Sequence, residues 1–483
     1  MNVSMEIKLY DEQKTHIENV LNHFNEHKIY VDTSPMGSGK TVMSIYIAKK
    51  LGLKLYVICP PNVTEKWEGE CKKYSCCLYG IINYEKVALM SSNILHRIER
   101  KKFLISDKFI SAVKEGIYLV VDEVHLIKNL DTLRFISCNT LIRHIHETNS
   151  RSRIALLSAT PGDKKEHIES FLNLLNFFHG PLQYVLKRKP NEFREFKKFC
   201  HQLSPEKTKT VEEHFRIMND KNAMIAVFML FRFVLKERFF LRSKAHSITS
   251  IASGNLTNQH INEPDIKHGC YKISKENEKN IQEIIDEIIA KENYTNKVLL
   301  TKWEENLIEK IAEISLNDLK KGYKVIVVLF YKKNVRKMQE LLKDLKGFQI
   351  LNGDTEIKKR NEIVRKFQEG NHDVPLLIIN PRVAGVGIDL DDRIGNFPRS
   401  MFIAPNYYFL DISQTIGRIW RPPHTKSVPK VRFVYSIEHF DKTIELYEKF
   451  VKKTKDAKEF LDRKAIDSNN LKLIGDYPLV IED

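Results

Sequence analysis

The 483-residue chain reads as an α/β protein: two parallel-sheet lobes with a basic, mainly helical insert between them. Three observations predict this. Short apolar runs alternate with helical spacing from residue 28 to about 179. The same alternation returns after about residue 321. Between the two, strand signals thin out while lysines and arginines gather. The boundaries expected from these changes of texture are 1–180, 181–295 and 296–483.

Taken in order, the first lobe has apolar runs at 29–31, 53–59, 118–121 and 154–157, each followed by helical spacing, as a parallel sheet with crossover helices requires. The insert carries Lys187, Arg188, Lys189, Lys197 and Lys198. Its apolar window at 223–235 is too short to span a bilayer and contains Arg232, so a buried helix is expected there. Residues 247–267 are polar, with Asn, Ser, Gly and Pro, and read as a loop. A long helical stretch over 276–321 leads into the second lobe, whose strands are expected at 325–330, 348–351, 375–379 and 401–404. The last thirty residues are charged and mostly helical in pattern.

Composition narrows the partners. Lysines and arginines number 78 against 62 acids, giving a formal charge of +16, which favours a polyanion. No apolar stretch suits a membrane span, and the first residues lack the basic-then-apolar pattern of a secretory leader. The seven cysteines are scattered without zinc-ligand spacing, as expected for reduced, mostly buried thiols of an intracellular protein.

Residues 34–41 (Ser-Pro-Met-Gly-Ser-Gly-Lys-Thr) lie between a strand signal and a helical one. Such a loop aims several backbone N–H groups at one spot, at the positive end of the helix dipole. Gly37 and Gly39 let the backbone close around phosphate, with Ser38 between them. Lys40 can reach the β- and γ-phosphates, and the Thr41 hydroxyl can hold Mg²⁺. Residues 119–125 (Leu-Val-Val-Asp-Glu-Val-His) place Asp122 at a strand end, where its carboxylate can hold the metal's shell, and Glu123 beside it, where it can polarise an attacking water.

The sequence Asp122-Glu123-Val124-His125, with Ser158-Ala159-Thr160-Pro161, resembles motifs II and III of superfamily 2 helicases and translocases. The remaining motifs follow in order. Residues 9–13 resemble the adenine-reading Q motif, with Gln13 as reader. Residues 57–61 with Trp67 resemble motif Ia, and residues 83–85 stand where motif Ib would. Residues 327–330 resemble motif IV, and 352–355 with Arg360, Phe367 and Gln368 resemble the segment after it. Residues 384–390, including Gly387 and Asp389, resemble motif V, and 414–421, from Gln414 through Arg418 to Arg421, resemble motif VI. The resemblance implies two RecA-like lobes, ATP with Mg²⁺ as cofactors, Lys40, Glu123, Arg418 and Arg421 in catalysis, and coupling through His125, Ser158, Thr160 and Gln414. Arg418 and Arg421, three apart, are expected on one face of a helix, as fingers for the γ-phosphate.

Residues 122–129, 172–177 and 239–244 resemble the Swi/Snf-like branch, and 387–400 is similar to helicase-like proteins of large DNA viruses. Three positions depart from these patterns: Ser34 replaces the usual first glycine, Ser243 the last arginine of a Phe-Leu-Arg-Arg element, and Asp389 an asparagine. The expected function is an ATP-dependent nucleic-acid motor acting on DNA in transcription, replication or repair. The competing readings are a catalytically silent nucleic-acid-binding scaffold and an RNA helicase. The expected partners are nucleic acid, DNA before RNA, and a transcription or replication complex. The expected location is host cytoplasm or virion for a viral protein, otherwise the nucleus.

Overall fold

The computed structural model describes residues 6–35, 37–89, 92–159, 167–214, 220–243, 264–291, 296–369, 373–381, 388–404, 406, 408–420, 425–438 and 479–481. The chain divides between residues 245 and 246 into two main compact units.

The first unit holds eight strands: β1 (Ile29–Asp32), β2 (Lys54–Cys59), β3 (Leu78–Asn83), β4 (Leu95–Glu99), β5 (Lys102–Ile105), β6 (Ile117–Asp122), β7 (Arg153–Leu157) and β8 (Phe240–Leu241). Strands β4 and β5 form an antiparallel hairpin of their own, and the other six form one sheet in the order β3-β2-β6-β7-β1-β8. All its pairings are parallel. Its two faces are buried in separate cores. Ile29, Val31, Ile58, Leu119, Val121 and Leu156 pack on one side. Tyr30, Val57, Tyr118, Val120, Ala155 and Leu157 pack on the other. Burial on both faces is why these strands read as unbroken apolar runs rather than as alternation. The register sets Asp32 opposite Leu157 and Leu157 opposite Asp122, so the loops leaving β1, β7 and β6 all open at one edge. That carboxyl edge is where open α/β sheets bind ligands.

Helices of the expected insert complete this unit. Leu182–Arg188, Pro190–Leu203, Pro205–His214 and Asp220–Leu230 are followed by a wider turn of π type over Phe231–Leu235 and a short helix Lys236–Phe239. Val227, Leu230, Phe231, Val234 and Leu235 are buried, as the apolar window requires. Phe177 meets the rings of Phe196, Phe199 and Phe239 at 5.6, 5.0 and 5.9 Å between centroids. Phe196 and Phe239 are buried, each such ring contributing about 1.5–3 kcal/mol, so these helices are held to the unit by a core rather than by surface charge.

The second unit holds β9 (Asp265–Tyr271), β10 (Lys324–Val328), β11 (Gln349–Leu351), β12 (Leu376–Ile379), β13 (Arg399–Ile403), β14 (Lys430–Ser436) and β15 (Leu479–Ile481). They form one parallel sheet in the order β11-β12-β10-β13-β14-β9-β15. Helices Lys275–Ala290 and Lys297–Lys320 pack through Ile281, Ile285, Ile288, Trp303, Leu307 and Ile311 into the same core. One expectation is corrected here. The polar stretch ending at 267 gives way to strand from Asp265, because Arg432 on β14 pairs with Asp265 at 2.7 Å and His268 shares a hydrogen bond with Tyr435 at 3.0 Å. At the chain end residues 479–481 pair with β9. Residues 439–478 lie outside the described residues. All seven cysteines are free thiols, and Cys59, Cys71, Cys138, Cys200 and Cys270 are buried.

Candidate functional site

The site starts from Asp32, the last residue of β1 and 1% exposed. One carboxylate oxygen accepts the Ser34 N–H at 2.8 Å, and the other meets His16 Nε2 at 3.1 Å. Burial pushes this carboxyl up, but His16, Lys40 and the Ser34 N–H together outweigh it and hold the group below its ordinary value. Ser34, the departure from glycine, is fully buried. Its carbonyl accepts Lys40 Nζ at 2.7 Å and the Pro35 carbonyl accepts the same ammonium at 2.9 Å. Lys40 therefore lies across the mouth of its own loop.

Gly37 and Gly39 have φ of +78° and +86°, conformations that a side chain resists. At Gly39 space matters as well: a Cβ would sit 2.4 Å from Gln13 Nε2. That amide donates to the Ser38 carbonyl at 2.8 Å, while Gln13 Oε1 accepts the Tyr10 N–H at 3.1 Å. Gln13 is thus seated on the loop, with helix Lys40–Leu51 starting directly after it and Thr41 in its first turn.

Asp122 closes β6 on the same sheet edge. Trp67 Nε1 donates to its Oδ2 at 2.9 Å, and the Tyr84 hydroxyl donates to its backbone carbonyl. Burial, then the neighbouring Glu123 charge, push the Asp122 carboxyl up to about 6, against the pull of Trp67, Lys40 and Lys66. Glu123 has φ +60° and ψ 52°, a left-handed conformation costing roughly 1–2 kcal/mol outside glycine. The reversal turns the chain at the strand end, and the Glu123 carbonyl accepts the Leu126 N–H at 2.9 Å. His125 Nδ1 stands 3.2 Å from Glu123 Oε2 and 3.2 Å from Ser158 Oγ, so motifs II and III share one imidazole.

The first unit therefore brings together Gln13, Gly37, Ser38, Gly39, Lys40, Asp122, Glu123, His125 and Ser158, with Thr41 starting the helix. Thr160 lies outside the described residues. The set fits a nucleoside triphosphate with a divalent cation: glycine-lined backbone at a helix start, a lysine, a hydroxyl and a half-buried carboxylate at the same sheet edge. Reading the sequence left out Asp32, the bond from Tyr84 to Asp122 and the Ser34–Ser243 contact. A polar residue ending an apolar run was the only available sign of Asp32.

In the second unit the Asp389 carbonyl accepts Gln368 Nε2 at 2.6 Å, and its carboxylate pairs with Arg393 at 2.7 Å. Gln414 lies within helix Phe409–Ile416 and is buried. Arg418 is buried too, but in the turn after that helix rather than on it: its N–H bonds the Thr415 carbonyl at 3.0 Å and its carbonyl accepts the Leu390 N–H at 2.8 Å. The expectation of a helical arginine pair is corrected to that extent, because the last turn closes by i→i+3 bonds before Arg418. Arg421 and Gly387 lie outside the described residues. Among the insert's cations, Lys189 pairs with Glu192 at 2.9 Å and Lys197 with Glu212 at 2.6 Å, while Lys187, Arg188 and Lys198 are exposed. Tyr408 stacks on Phe330, 5.8 Å between centroids, and Trp420 is buried, so both pack. Among the described residues no helix is long and apolar enough to cross a membrane.

Two family models match the chain. That of the type III restriction enzyme res subunit covers residues 6–163, and that of the helicase conserved C-terminal domain covers 305–422. A protein of Acanthamoeba polyphaga mimivirus named as an ATP-dependent RNA helicase is 24% identical over 435 residues, 85% of this chain and 76% of that protein. A Drosophila ananassae protein named DNA repair and recombination protein RAD54-like is 24% identical over 191 residues, 39% of this chain and 23% of that one. The solved SWI2/SNF2 ATPase core of Sulfolobus solfataricus, in complex with dsDNA, aligns over 98% of this chain and 99% of that chain at 15% identity. Its TM-score is 0.32, a superposition too loose to bear on the assignment. The phosphate loop and motif II fall inside the first matched region and motifs IV to VI inside the second, in order: the chain belongs to superfamily 2 of the helicases and translocases and is a nucleic-acid-dependent ATPase.

Proposed function

We propose that the chain spends ATP to move along DNA, and that the residues of the first-unit edge hold and hydrolyse the nucleotide. The observation that carries this reading is the convergence of Gln13, Lys40, Asp122 and Glu123 at one carboxyl edge of the sheet. Gln13 reads adenine, Lys40 leaves the Ser34 and Pro35 carbonyls for phosphate, and Glu123 polarises the attacking water. Thr41 and Asp122 would hold Mg²⁺, which supplies charge neutralisation on the phosphates. His125, held between Glu123 and Ser158, passes the state of motif II to motif III, with Thr160 and Gln414 acting in the same coupling. Arg418 and Arg421 supply positive charge for the transition state, and Gly387 and Asp389 contact the nucleotide. The order of the motifs supports that role. DNA is favoured over RNA by the Swi/Snf-like elements, and the exposed Lys187, Arg188 and Lys198 are suited to phosphate contacts. The mimivirus relative supports a viral origin; a place in host cytoplasm and within a transcription or replication complex is proposed by analogy alone.

The test is steady-state ATP hydrolysis measured side by side with duplex DNA, single-stranded DNA and RNA. Duplex DNA is expected to stimulate most. Lys40→Ala and Glu123→Gln should each lower stimulated turnover by at least about 100-fold, Glu123→Gln with nucleotide still bound. Equal rates with and without nucleic acid would sink the motor reading. Stronger stimulation by RNA would favour the RNA helicase reading.

A further inference from the structure

Two of the positions at which the sequence departs from its family pattern, Ser34 and Ser243, touch each other. The Ser243 N–H donates to Ser34 Oγ at 2.8 Å, across 209 positions of chain, and both residues are buried. We propose that this contact is a latch that sets the nucleotide affinity of the phosphate loop by tying it to the end of the helical insert. The proposal rests on the reading of residues 37–41 as an ATP cradle.

Ser34 commits each of its polar groups. Its N–H goes to Asp32, its carbonyl to Lys40 and its hydroxyl to Ser243. A glycine at this place would keep the first two bonds and lose the third. The segment it grips is fixed on both sides. Strand β8 pairs with β1 through Val31 opposite Phe240 and Asp32 opposite Leu241. The Leu241 carbonyl accepts the Thr33 N–H at 2.9 Å and the Thr33 hydroxyl at 3.2 Å. Ser243 Oγ reaches the Glu12 carbonyl at 3.3 Å, beside the adenine-reading Gln13. Upstream, Arg238 pairs with Glu26, and Phe239 packs against His27 at 4.8 Å and Phe199 at 6.2 Å. A displacement of the insert's last turn therefore reaches Ser34, whose carbonyl holds Lys40, through two short hydrogen-bonded steps. Ser34 acts through Lys40 and is a positioning residue.

The test is titration of the full-length protein with fluorescent N-methylanthraniloyl-ADP and Mg²⁺, alongside urea unfolding. Ser34→Ala removes the acceptor and is expected to weaken nucleotide binding about five- to tenfold, the size of one buried hydrogen bond. Ser34→Thr keeps a hydroxyl and should recover most of that loss. Ser243→Ala keeps the donating N–H and should bind nucleotide within about twofold of wild type, since the Glu12 contact of its hydroxyl, at 3.3 Å, is long. A purely structural role would lower the urea midpoint of Ser34→Ala and leave its affinity alone, which overturns the latch. Equal losses for Ser34→Ala and Ser243→Ala would overturn it as well, because the tie would then run through Glu12. Lys40→Ala separates the two ideas: unchanged nucleotide binding in that variant defeats the cradle reading itself, whatever Ser34 does.

Discussion

Each unit buries a carboxylate that gathers the backbone leaving an inner strand, and the two live in opposite electrostatic settings. In the first, Asp32 accepts the Ser34 N–H just past β1, with His16 and Lys40 beside it. In the second, Glu304 accepts the Phe330 N–H at 2.9 Å and the Tyr331 N–H at 3.4 Å just past β10, with the Asn334 amide at 3.0 Å. Burial pushes the Glu304 carboxyl up to about 8, because its partners are neutral dipoles. Asp32 is held down despite burial, because a lysine and an imidazole face it. The same loop-holding task thus leaves a charged acid where a phosphate-binding lysine must be managed, and a neutral one where only backbone is held.

The largest effect expected from that difference is at Asp32. Asp32→Ala strands a buried imidazole and the Ser34 N–H, and removes the charge facing Lys40. It should cost about 3–5 kcal/mol in urea unfolding and weaken nucleotide binding with it. A loss under about 1 kcal/mol would mean that the charge is not what holds the loop.

Next come the pH slopes, which should oppose each other. His23, bonded to the Ile29 carbonyl at 2.7 Å, is pushed down to about 4, chiefly by burial. A histidine with a depressed folded value leaves the unfolded chain binding more protons below 6.5, so stability is full above that pH and falls as pH drops toward 4, by about 3 kcal/mol. Asp32 adds to the same trend at lower pH, since a depressed carboxyl loses its contribution as pH falls through its folded value. Glu304 works the other way. Its stabilisation is present below its ordinary 4.5 and is lost as pH rises through about 8. Calorimetry from pH 5 to 9 should show one transition weakening in acid and another weakening in base. A His23→Gln variant should flatten the acid limb alone, and parallel slopes for both transitions would contradict the contrast.

The asymmetry was only partly legible in the sequence. The strands that carry the site were visible at 29–31, 118–121 and 154–157 because both sheet faces are buried, which leaves unbroken apolar runs. Strands β9 and β14 were not, because Arg432 and His268 look like loop residues until Asp265 and Tyr435 stand opposite them. The two-residue β8 carries too little pattern for any periodicity to register. Lys40, Asp122 and Glu123 could be named because phosphate chemistry ties residue type to local spacing. Asp32, Glu304 and the Ser34–Ser243 contact could not, since their roles depend on partners fixed by tertiary packing. Trp67 was legible as part of motif Ia, but its hold on Asp122 was not.

The smallest effect should be at Glu304 itself. Near pH 4.5 its carboxyl is neutral in the fold and largely so in the unfolded chain, so Glu304→Gln removes almost no charge there. One amide oxygen can still accept the Phe330 N–H. The new amide nitrogen must face Asn334, whose Nδ2 also donates to the Thr301 carbonyl at 2.9 Å, and one of these bonds will be poorly made. The expected cost is about 1 kcal/mol, the price of one imperfect buried hydrogen bond. As pH rises above 4.5 the order should reverse: the unfolded carboxyl ionises there, so wild type must take up a proton to fold or, above about 8, hold a buried carboxylate, and the glutamine variant does neither. Urea unfolding at pH 4.5 and pH 9 reads this directly, with the variant less stable at the first and more stable at the second. A variant that loses the same amount at both values would show that Glu304 is held as a carboxylate, like Asp32, and the contrast between the units would collapse.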